Sequence, residues 1–474
     1  MAHLHELTAL QQAAALRRGE VSAVELVEHH LARIEAYGEA VGAFVTVTAD
    51  DAREQARAVD DMLRTEEDLP PLFGVPTAIK DLTPTAGVRT TFGSAAFADF
   101  VPTVDADVVR LLRAAGLISL GKTTTSEFGL SLHAESEVAP PARNPWAPGN
   151  TAGGSSGGAA AAVAAGLVAV AHGNDGGGSV RIPASICGLI GFKPSRGVVS
   201  NGPLGFGGLG LPTNGVLGRT VADVAALLDV MAVPQPGEPF PVPPRPDSGF
   251  LAAARRPYEQ PLRVARFTAP MLADTPVDPA CLAAVDAAAD VLVRAGHEVV
   301  DVPGLLDVEL EQRFETLWAA MATQSLVPPG REDRLQPLTR WMRERGARVS
   351  AAQLFADLSA IQAEVRRALR SLAGFDLLLS PTLAAPQAPI GYFTGAGDPA
   401  EDFARQKRFS PYCAAYNVTG QPAVSLPVGR TDDGLPVGAM LAARLGADAL
   451  LLSVAAAVEQ IHPLTREPAR PPIR

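Results

Sequence analysis

The sequence predicts an α/β fold built around a mixed β-sheet. Short apolar runs that are typical of buried strands alternate along the chain with amphipathic helical periodicities. Residues 262–303 have the order strand, helix, strand (LRVARF, DPACLAAVDAAADVLVRAG, HEVVDVP), which implies a right-handed parallel crossover. The chain has 474 residues, of which 47% are hydrophobic, and this is enough to bury a large core.

The first segment, residues 1–65, is predicted to be helical. Ser22 is a suitable N-cap for the helix AVELVEHHLARIEAY, and Glu25 is its capping-box partner. After a turn-rich stretch, VPTAIK predicts a short buried strand that ends on Lys80. DVVRLLRAAG then predicts a helix closed by Gly116, and LISLGKT predicts a second buried strand. These elements begin a predicted core of residues 66–233.

The later elements complete this core. The irregular stretch RNPWAPGNTAGGSSGG precedes the Ala-rich helix AAAAVAAG. Residues 234–375 are predicted to form a variable region on the substrate side, and its Pro-rich start indicates a linker or a surface excursion. Residues 376–474 supply the buried strand LLLSPT, the strand pair AVSLPVG and LPVGAMLAA, and the closing helix DALLLSVAAAVEQ. No internal repeat is visible in the sequence.

Composition favours a cytoplasmic enzyme that acts on a neutral small molecule. The net charge of −11 argues against nucleic acid or an anionic membrane as a partner. Three distant cysteines, Cys187, Cys281 and Cys413, give neither a disulfide framework nor a metal-ligand spacing. The N-terminus lacks the pattern of a signal peptide, and the longest apolar run, Ala159–Ala171, is too short to span a bilayer.

Two short patterns match known motifs but stand in the wrong context. GLISLGKT (Gly116–Thr123) matches a phosphate-binding loop, yet its intervening residues predict a buried strand, so we expect no ATP site. GGSSG (Gly153–Gly157) matches the nucleophile elbow of α/β-hydrolases, but no buried strand precedes it. A Ser-His-Asp hydrolase also needs a downstream histidine. For the three available, His172, His297 and His462, a structural role is the favoured interpretation.

The stretch HGNDGGGSVRIPAS places three glycines immediately before Ser179. One interpretation is a flexible surface turn. The other is a nucleophile in a nest of backbone N–H groups, because glycines allow successive N–H groups to point into one concavity. Such a nest would hold the oxyanion of a tetrahedral intermediate, where loss of one donor costs about 3–4 kcal/mol of barrier.

A serine nucleophile needs a base, and lysine can serve when burial lowers its pKa enough to keep it neutral. Lys80, at the end of an apolar strand, is the first candidate. Lys122 and Lys193 also follow apolar strand-like segments and remain rivals. The hydroxyls of Ser155 and Ser156, in a second glycine-rich turn, are candidates to relay the proton.

Five longer segments carry a family resemblance: GVPTAIKDL (Gly74–Leu82), LGKTTTSEF (Leu120–Phe128), RNPW (Arg143–Trp146), the long run Gly153–Gly197, and NVTGQPAVSLPVG (Asn417–Gly429). In these segments the chain resembles the amidase signature family. The similarity covers nearly the whole chain and is weakest over residues 234–375. It implies a single large domain with a central mixed sheet flanked by helices on both faces.

The resemblance also implies the site and its chemistry. It implies that Ser179 is the nucleophile, that Ser155, held by a cis peptide, bridges to it, and that Lys80 is the base, with no metal or cofactor required. It implies oxyanion donors at the backbone N–H groups of Gly176, Gly177, Gly178 and Ser179. Three further residues are implied to support the site: Ser156 by hydrogen bonding, and Asp175 and Arg181 by bracing the glycine loop.

Within the family, the glycine run and the following RGVVSNGP most resemble a branch that hydrolyses cyclic nylon oligomers and that is similar to aryl-acylamidases and urethane-cleaving hydrolases. This resemblance implies a hydrophobic amide, anilide, carbamate or ester substrate. Two departures from the family pattern are Gly176, where many relatives have threonine, and Ala159, where they have serine. The cysteine that the nylon-oligomer branch has beside its substrate is absent here, where the alignment falls near Trp318.

The substrate pocket is the least defined part of the prediction. The candidate substrate-binding residues are Gly154, Leu204, Phe206, Trp318 and Tyr416. The glycine-rich segment Asn201–Gly215 predicts either a mobile apolar lid or an ordinary surface loop. We expect a monomer or a homodimer. An alternative function is that of an amidotransferase subunit, which releases ammonia from glutamine for transfer to a charged tRNA.

Overall fold

Helices and strands alternate along most of the chain. The computed structural model describes residues 3–66, 68–203, 210–256, 258–306 and 310–462. The strands are β1 (Phe44–Val47), β2 (Pro76–Lys80), β3 (Ile118–Thr123), β4 (Arg143–Asn144), β5 (Ala147–Thr151), β6 (Val170–Asp175), β7 (Ile190–Lys193), β8 (Thr213–Gly218), β9 (Arg263–Arg266), β10 (Glu298–Asp301), β11 (Leu377–Pro381), β12 (Ala423–Arg430) and β13 (Pro436–Ala443).

The α-helices of the described residues cover the sheets. They are α1 (Ala9–Arg17), α2 (Ala23–Val41), α3 (Ala49–Leu63), α4 (Asp107–Ala114), α5 (Gly157–Ala164), α6 (Arg181–Cys187), α7 (Val221–Met231), α8 (Gly249–Ala254), α9 (Pro279–Arg294), α10 (Leu310–Ala322), α11 (Pro337–Ala347), α12 (Ala351–Ser371), α13 (Pro399–Phe409), α14 (Ala415–Thr419) and α15 (Asp448–Ile461). None of these helices is both long enough and apolar enough to cross a membrane.

An eight-stranded mixed sheet forms the centre of the molecule. Its strand order is β10-β9-β11-β13-β12-β7-β8-β6. Strands β10, β9 and β11 are parallel to one another, and every other neighbouring pair is antiparallel. The predicted strand–helix–strand run therefore forms a parallel pair, β9 and β10, joined through α9.

Both faces of this sheet are buried, as predicted. In β11, Leu377 and Leu379 pack into one hydrophobic core, and Leu378, between them, packs into another. Successive side chains of a strand point to opposite faces, so each face has its own core. Helices α7, α9 and α15 contribute side chains to the first core, and α2, α5 and α6 contribute to the second.

A smaller three-stranded sheet, with the order β1-β3-β2, brings Lys80 to the edge of the large one. The Thr77 hydroxyl of β2 donates to the Val170 carbonyl of β6 at 3.0 Å. Further along, the Lys80 N–H lies 3.4 Å from His172 Nδ1, also on β6. Because β2 and β6 lie side by side, the last residue of β2 lies beside the end of β6, where the glycine run begins.

Most of the predicted elements are confirmed. Ser22 and Glu25 form a reciprocal capping box at the start of α2. Within GLISLGKT, Ile118–Thr123 form strand β3, and Gly116, with φ of 74°, follows the end of α4. The phosphate-loop pattern is therefore a coincidence of a helix end and a strand. Strand β1 is a difference, because residues 1–65 were predicted to be wholly helical; FVTV forms a strand by pairing with β3.

Candidate active site

The glycine run connects a strand to a helix in the middle of the fold. Strand β6 ends at Asp175, helix α6 begins at Arg181, and the three glycines and Ser179 form the connection. Gly178 has φ of 129°, a conformation that L side chains rarely adopt. A Cβ atom at this position would lie only 2.6 Å from the Cβ of Cys413. Both the backbone conformation and the packing therefore require glycine at residue 178.

A buried ion pair braces this loop. Arg181 Nη2 and Nε donate to the two carboxylate oxygens of Asp175 at 2.8 and 3.0 Å, and both side chains are completely buried. Burial alone would raise the pKa of Asp175, but the charge and hydrogen bonds of Arg181 hold it well below its ordinary value. Asp175 is therefore ionised and joins the start of α6 to the end of β6.

Asn417, the first residue of the family-like segment Asn417–Gly429, completes the brace. Its Nδ2 donates to the Asp175 carbonyl at 2.8 Å and to Asp175 Oδ1 at 3.0 Å, while its Oδ1 accepts from Arg181 at 2.7 Å. No role was assigned to Asn417 from the sequence. The only signal was its place in the segment Asn417–Gly429, since its partners lie more than 230 residues earlier.

The loop presents three free backbone N–H groups rather than the expected four. The N–H of Gly178 donates to Asp175 Oδ1 at 2.8 Å and is therefore occupied inside the loop. The N–H groups of Gly176, Gly177 and Ser179 donate to no described residue. The expectation that Gly178 is an oxyanion donor is wrong for this structure, because the brace uses that N–H group.

Lys80 is buried against the second glycine-rich turn. Its Nζ lies 2.7 Å from Ser155 Oγ and 3.1 Å from the Asn174 carbonyl. The side chain is completely buried. Burial lowers the pKa of Lys80 well below its ordinary value, against the opposing charge of Asp175. The amine is thus both close to a hydroxyl and disposed to be neutral.

Ser155 and Ser156 join this turn to the glycine loop. The Gly154–Ser155 peptide bond is cis. The Ser156 N–H donates to the Ser179 carbonyl at 3.0 Å, and its hydroxyl donates to the Asn174 carbonyl at 3.1 Å. Ser179 Oγ makes no hydrogen bond to a described residue, and Ser179 is 7% exposed. The structure therefore brings together the residues predicted to be nucleophile, bridge and base.

The rival lysines have other partners. Burial lowers the pKa of Lys122 to about 8 against the charge of Asp81, and its Nζ donates to the Thr83 carbonyl at 2.6 Å. Burial, together with repulsion from Arg181, lowers the pKa of Lys193 to about 7, and its Nζ donates to the Pro194 carbonyl at 2.9 Å. Neither amine hydrogen-bonds a described serine hydroxyl, which Lys80 does.

The histidines do not form a Ser-His pair within the described chain. His172 lies in β6, where its Nε2 is 2.9 Å from Asn214 Oδ1, and burial lowers its pKa to about 4. His297 lies between α9 and β10 and its ring nitrogens have no partner among the described residues. His462 follows the last helix. The structural interpretation of all three is consistent with these positions.

An apolar cavity opens onto Ser179 and the glycine loop. Its walls come from α6, α10, α13 and the segment 129–132. Trp318 lines it, as predicted, and its indole Nε1 donates to the Leu130 carbonyl at 3.1 Å. The ring of Phe314 stacks on that of Trp318 with centroids 5.5 Å apart.

The other predicted substrate-binding residues do not line this cavity. Tyr416 is completely buried, with its ring 5.9 Å from the Arg181 guanidinium, so it packs behind the loop. Gly154 lies against the backbone of His133, where an added Cβ atom would be 2.6 Å from a carbonyl carbon. Both expectations are corrected. Leu204 and Phe206 lie outside the described residues, with the rest of the segment 204–209. The end of the predicted lid is neither lid nor loop, because residues 213–215 belong to β8.

The two outer glycine positions give a prediction about stability. Gly178→Ala should destabilise the protein by about 2–4 kcal/mol, since it combines backbone strain with a collision. Gly176→Ala should leave the unfolding temperature close to that of the wild type, because its Cβ atom would meet Trp318 at an ordinary 3.4 Å. Calorimetry of both variants checks this, and equal unfolding temperatures would contradict it.

The comparisons with known proteins identify the family of the chain. The family model described as Amidase matches residues 25–452. The fold and the match together define an amidohydrolase: the chain belongs to the amidase signature family.

Two relatives and one solved structure illustrate the similarity. The chain is 34% identical to the 6-aminohexanoate-cyclic-dimer hydrolase of Paenarthrobacter ureafaciens, over 96% of this chain and 94% of the relative. It is 34% identical to an acylamidase of Rhodococcus erythropolis, over 97% and 96% of the two chains. A solved structure of 6-aminohexanoate cyclic dimer hydrolase complexed with substrate matches with a TM-score of 0.91 and 32% identity, over 99% of this chain and 100% of the other.

Proposed function

We propose that the protein hydrolyses C–N acyl bonds of small to medium hydrophobic amides and anilides through a Ser179–Ser155–Lys80 relay and an acyl-enzyme. The observation that carries the proposal is the 2.7 Å contact between the buried Lys80 amine and Ser155 Oγ, next to the loop that carries Ser179. A buried amine of lowered pKa is the group that a Ser-Lys mechanism needs as its base.

The first step forms the acyl-oxygen bond. Neutral Lys80 takes the proton of Ser155, Ser155 takes the proton of Ser179, and Ser179 Oγ attacks the substrate carbonyl carbon. The carbonyl π electrons move to oxygen. The only described partner of the Ser155 hydroxyl is Lys80 Nζ, and the hydrogen bonds of a catalytic relay often tighten only with substrate bound.

The loop supplies the stabilisation of the tetrahedral intermediate. Of the three residues with free N–H groups, Gly177 and Ser179 line the cavity in which the carbonyl would lie, and Gly176 directly precedes Gly177. Asp175 and Arg181 fix these dipoles before the substrate arrives. Preorganised donors of this kind act most strongly where charge develops in the transition state.

Collapse of the intermediate breaks the C–N bond. The proton held by Lys80 returns through Ser155 to the leaving nitrogen, and a neutral amine departs. Water then attacks the acyl-enzyme and gives its proton to Lys80 through Ser155. When the second intermediate collapses, this proton returns to Ser179 Oγ and the carboxylic acid departs. A carbamate follows the same steps and yields a carbonic half-ester that loses CO2.

The apolar cavity and the names of the relatives support hydrophobic acyl substrates. The relatives are named for hydrolysis of a cyclic amide dimer and of acylamides. Phe314 and Trp318 provide aromatic surface beside Ser179. Carbamates and esters are included in the proposal because they present the same carbonyl to the same nucleophile.

A substrate panel tests the proposal. Purified protein would be assayed with an acyl p-nitroanilide, an aryl carbamate, a cyclic amide dimer and glutamine. We expect cleavage of the anilide or the carbamate and little release of ammonia from glutamine. Hydrolysis of glutamine alone would instead favour the amidotransferase alternative, and inertness toward the whole panel would contradict the proposed function.

A further inference from the structure

One face of helix α10 covers the cavity and carries two kinds of side chain. Glu311, Phe314, Glu315 and Trp318 have the spacing i, i+3, i+4, i+7, which places them on the same side of a helix. Phe314 and Trp318 line the cavity beside the glycine loop, and Glu311 lines it further along the helix. The aromatic wall and the acidic groups are therefore parts of one surface.

A single lysine from the opposite wall holds this face. Lys407, on α13, also lines the cavity, and its Nζ donates to the carboxylates of both Glu311 and Glu315. Burial lowers the pKa of Lys407, but the hydrogen bonds to these carboxylates raise it above its ordinary value, so the amine stays cationic. The contact joins α10 to α13 across the cavity.

The two carboxylates that Lys407 bonds differ in their other ion-pair partners. Glu315 has a second cation, Arg345 of α11, whose Nη2 lies 3.1 Å from Glu315 Oε2. Glu311 has only Lys407 as an ion-pair partner among the described residues. The charged side chains that line the cavity are thus one carboxylate, Glu311, and the one ammonium that it already pairs with.

We propose that the Glu311–Lys407 pair is a specificity determinant that makes the cavity accept neutral acyl chains and exclude chains that end in a carboxylate. This inference rests on the proposed function and names its substrate class. A substrate carboxylate would lie beside Glu311 and would find Lys407 already bonded to two carboxylates. Like charges repel strongly in a cavity of reduced dielectric, whereas a neutral chain would pack on Phe314 and Trp318.

Three p-nitroanilides of equal chain length test the proposal: hexanoyl, adipoyl with a terminal carboxylate, and 6-aminohexanoyl with a terminal ammonium. In the wild type, kcat/KM for the hexanoyl substrate should exceed that for the adipoyl substrate by at least about tenfold. Glu311→Gln should raise the adipoyl-to-hexanoyl ratio about tenfold, because it removes the repelling charge and leaves Lys407 with one carboxylate partner instead of two.

Two further variants sharpen the test. Lys407→Met should move the ratio in the opposite direction, against adipoyl and toward 6-aminohexanoyl, because it leaves both carboxylates without this cation. Glu401→Gln is the matched control, since Glu401 pairs with Arg408 of the same helix, α13, but does not line the cavity. It should leave all three ratios at their wild-type values.

The outcomes separate this inference from the proposed function. If the wild type cleaves the hexanoyl substrate but Glu311→Gln and Lys407→Met leave the ratios unchanged, the specificity inference is overturned and the proposed function stands. Equal shifts in Glu401→Gln would likewise overturn it, because the effect would then reflect net charge. If no anilide is cleaved at all, the proposed function itself fails.

Discussion

Replacing Ser179 with alanine is expected to reduce anilide hydrolysis by at least about 10⁴-fold, since removal of a nucleophile removes the whole covalent route. The folded state should be retained, because Ser179 Oγ has no hydrogen-bond partner among the described residues and alanine keeps both backbone groups of the loop. The measurement is kcat for a p-nitroanilide, with the unfolding temperature of each protein recorded beside it.

Ser156→Ala is the matched control for this experiment. It removes a hydroxyl bonded to the Asn174 carbonyl but keeps the N–H that donates to the Ser179 carbonyl. Its loss of activity should therefore be much smaller than that of Ser179→Ala. If Ser179→Ala retained activity and Ser156→Ala lost it, the nucleophile would lie in the GGSSG turn, and a histidine-based mechanism would replace this one.

Lys80→Met is expected to lower kcat by at least about 10³-fold, because it removes the general base and fills the same apolar space. In the wild type, activity should rise with pH on the acid side. Protonated Lys80 cannot accept the Ser155 proton, and burial places the pKa of Lys80 well below its ordinary value, which moves this limb toward neutral pH. A pH profile of kcat/KM measures the effect, and the residual activity of Lys80→Met should lack this limb.

Lys193→Met provides the control for a buried lysine without a serine partner. Burial also lowers the pKa of Lys193, but its amine donates to the Pro194 carbonyl. This variant should retain hydrolysis with the wild-type pH profile. If Lys193→Met lost the acid limb of the pH profile and Lys80→Met kept it, the general base would be Lys193 and the assignment of Lys80 would be wrong.

Much of the fold could be predicted because its signals are local. A capping residue such as Ser22, a glycine such as Gly116 and the apolar run LLLSP each determine their element without reference to distant residues. Strands β1, β7 and β8, and the pair β4 and β5 within the stretch predicted to be irregular, were missed for the converse reason. They are two to six residues long, β8 contains two glycines, and pairing with neighbouring strands rather than intrinsic propensity makes them strands.

The candidate site divides in the same way. Lys80, Ser155 and Ser179 stand in long segments that resemble the family, and the structure brings the surrounding turns together. The sequence has three equivalent glycines and does not show which of their N–H groups bonds to Asp175. Gly178 was therefore wrongly included among the oxyanion donors. The Glu311–Lys407 pair joins residues 96 positions apart through helix packing, which no sequence pattern encodes.

The most direct test of the central claim is to label the nucleophilic serine covalently and to locate the label. The protein would be treated with a fluorophosphonate, which labels activated serine hydroxyls, and its peptides would be mapped by mass spectrometry. The account predicts one adduct, on Ser179, with labelling abolished in Ser179→Ala and strongly slowed in Lys80→Met. An adduct on Ser155 or Ser156 instead, formed at the rate at which activity is lost, would contradict the assignment of Ser179 as the nucleophile.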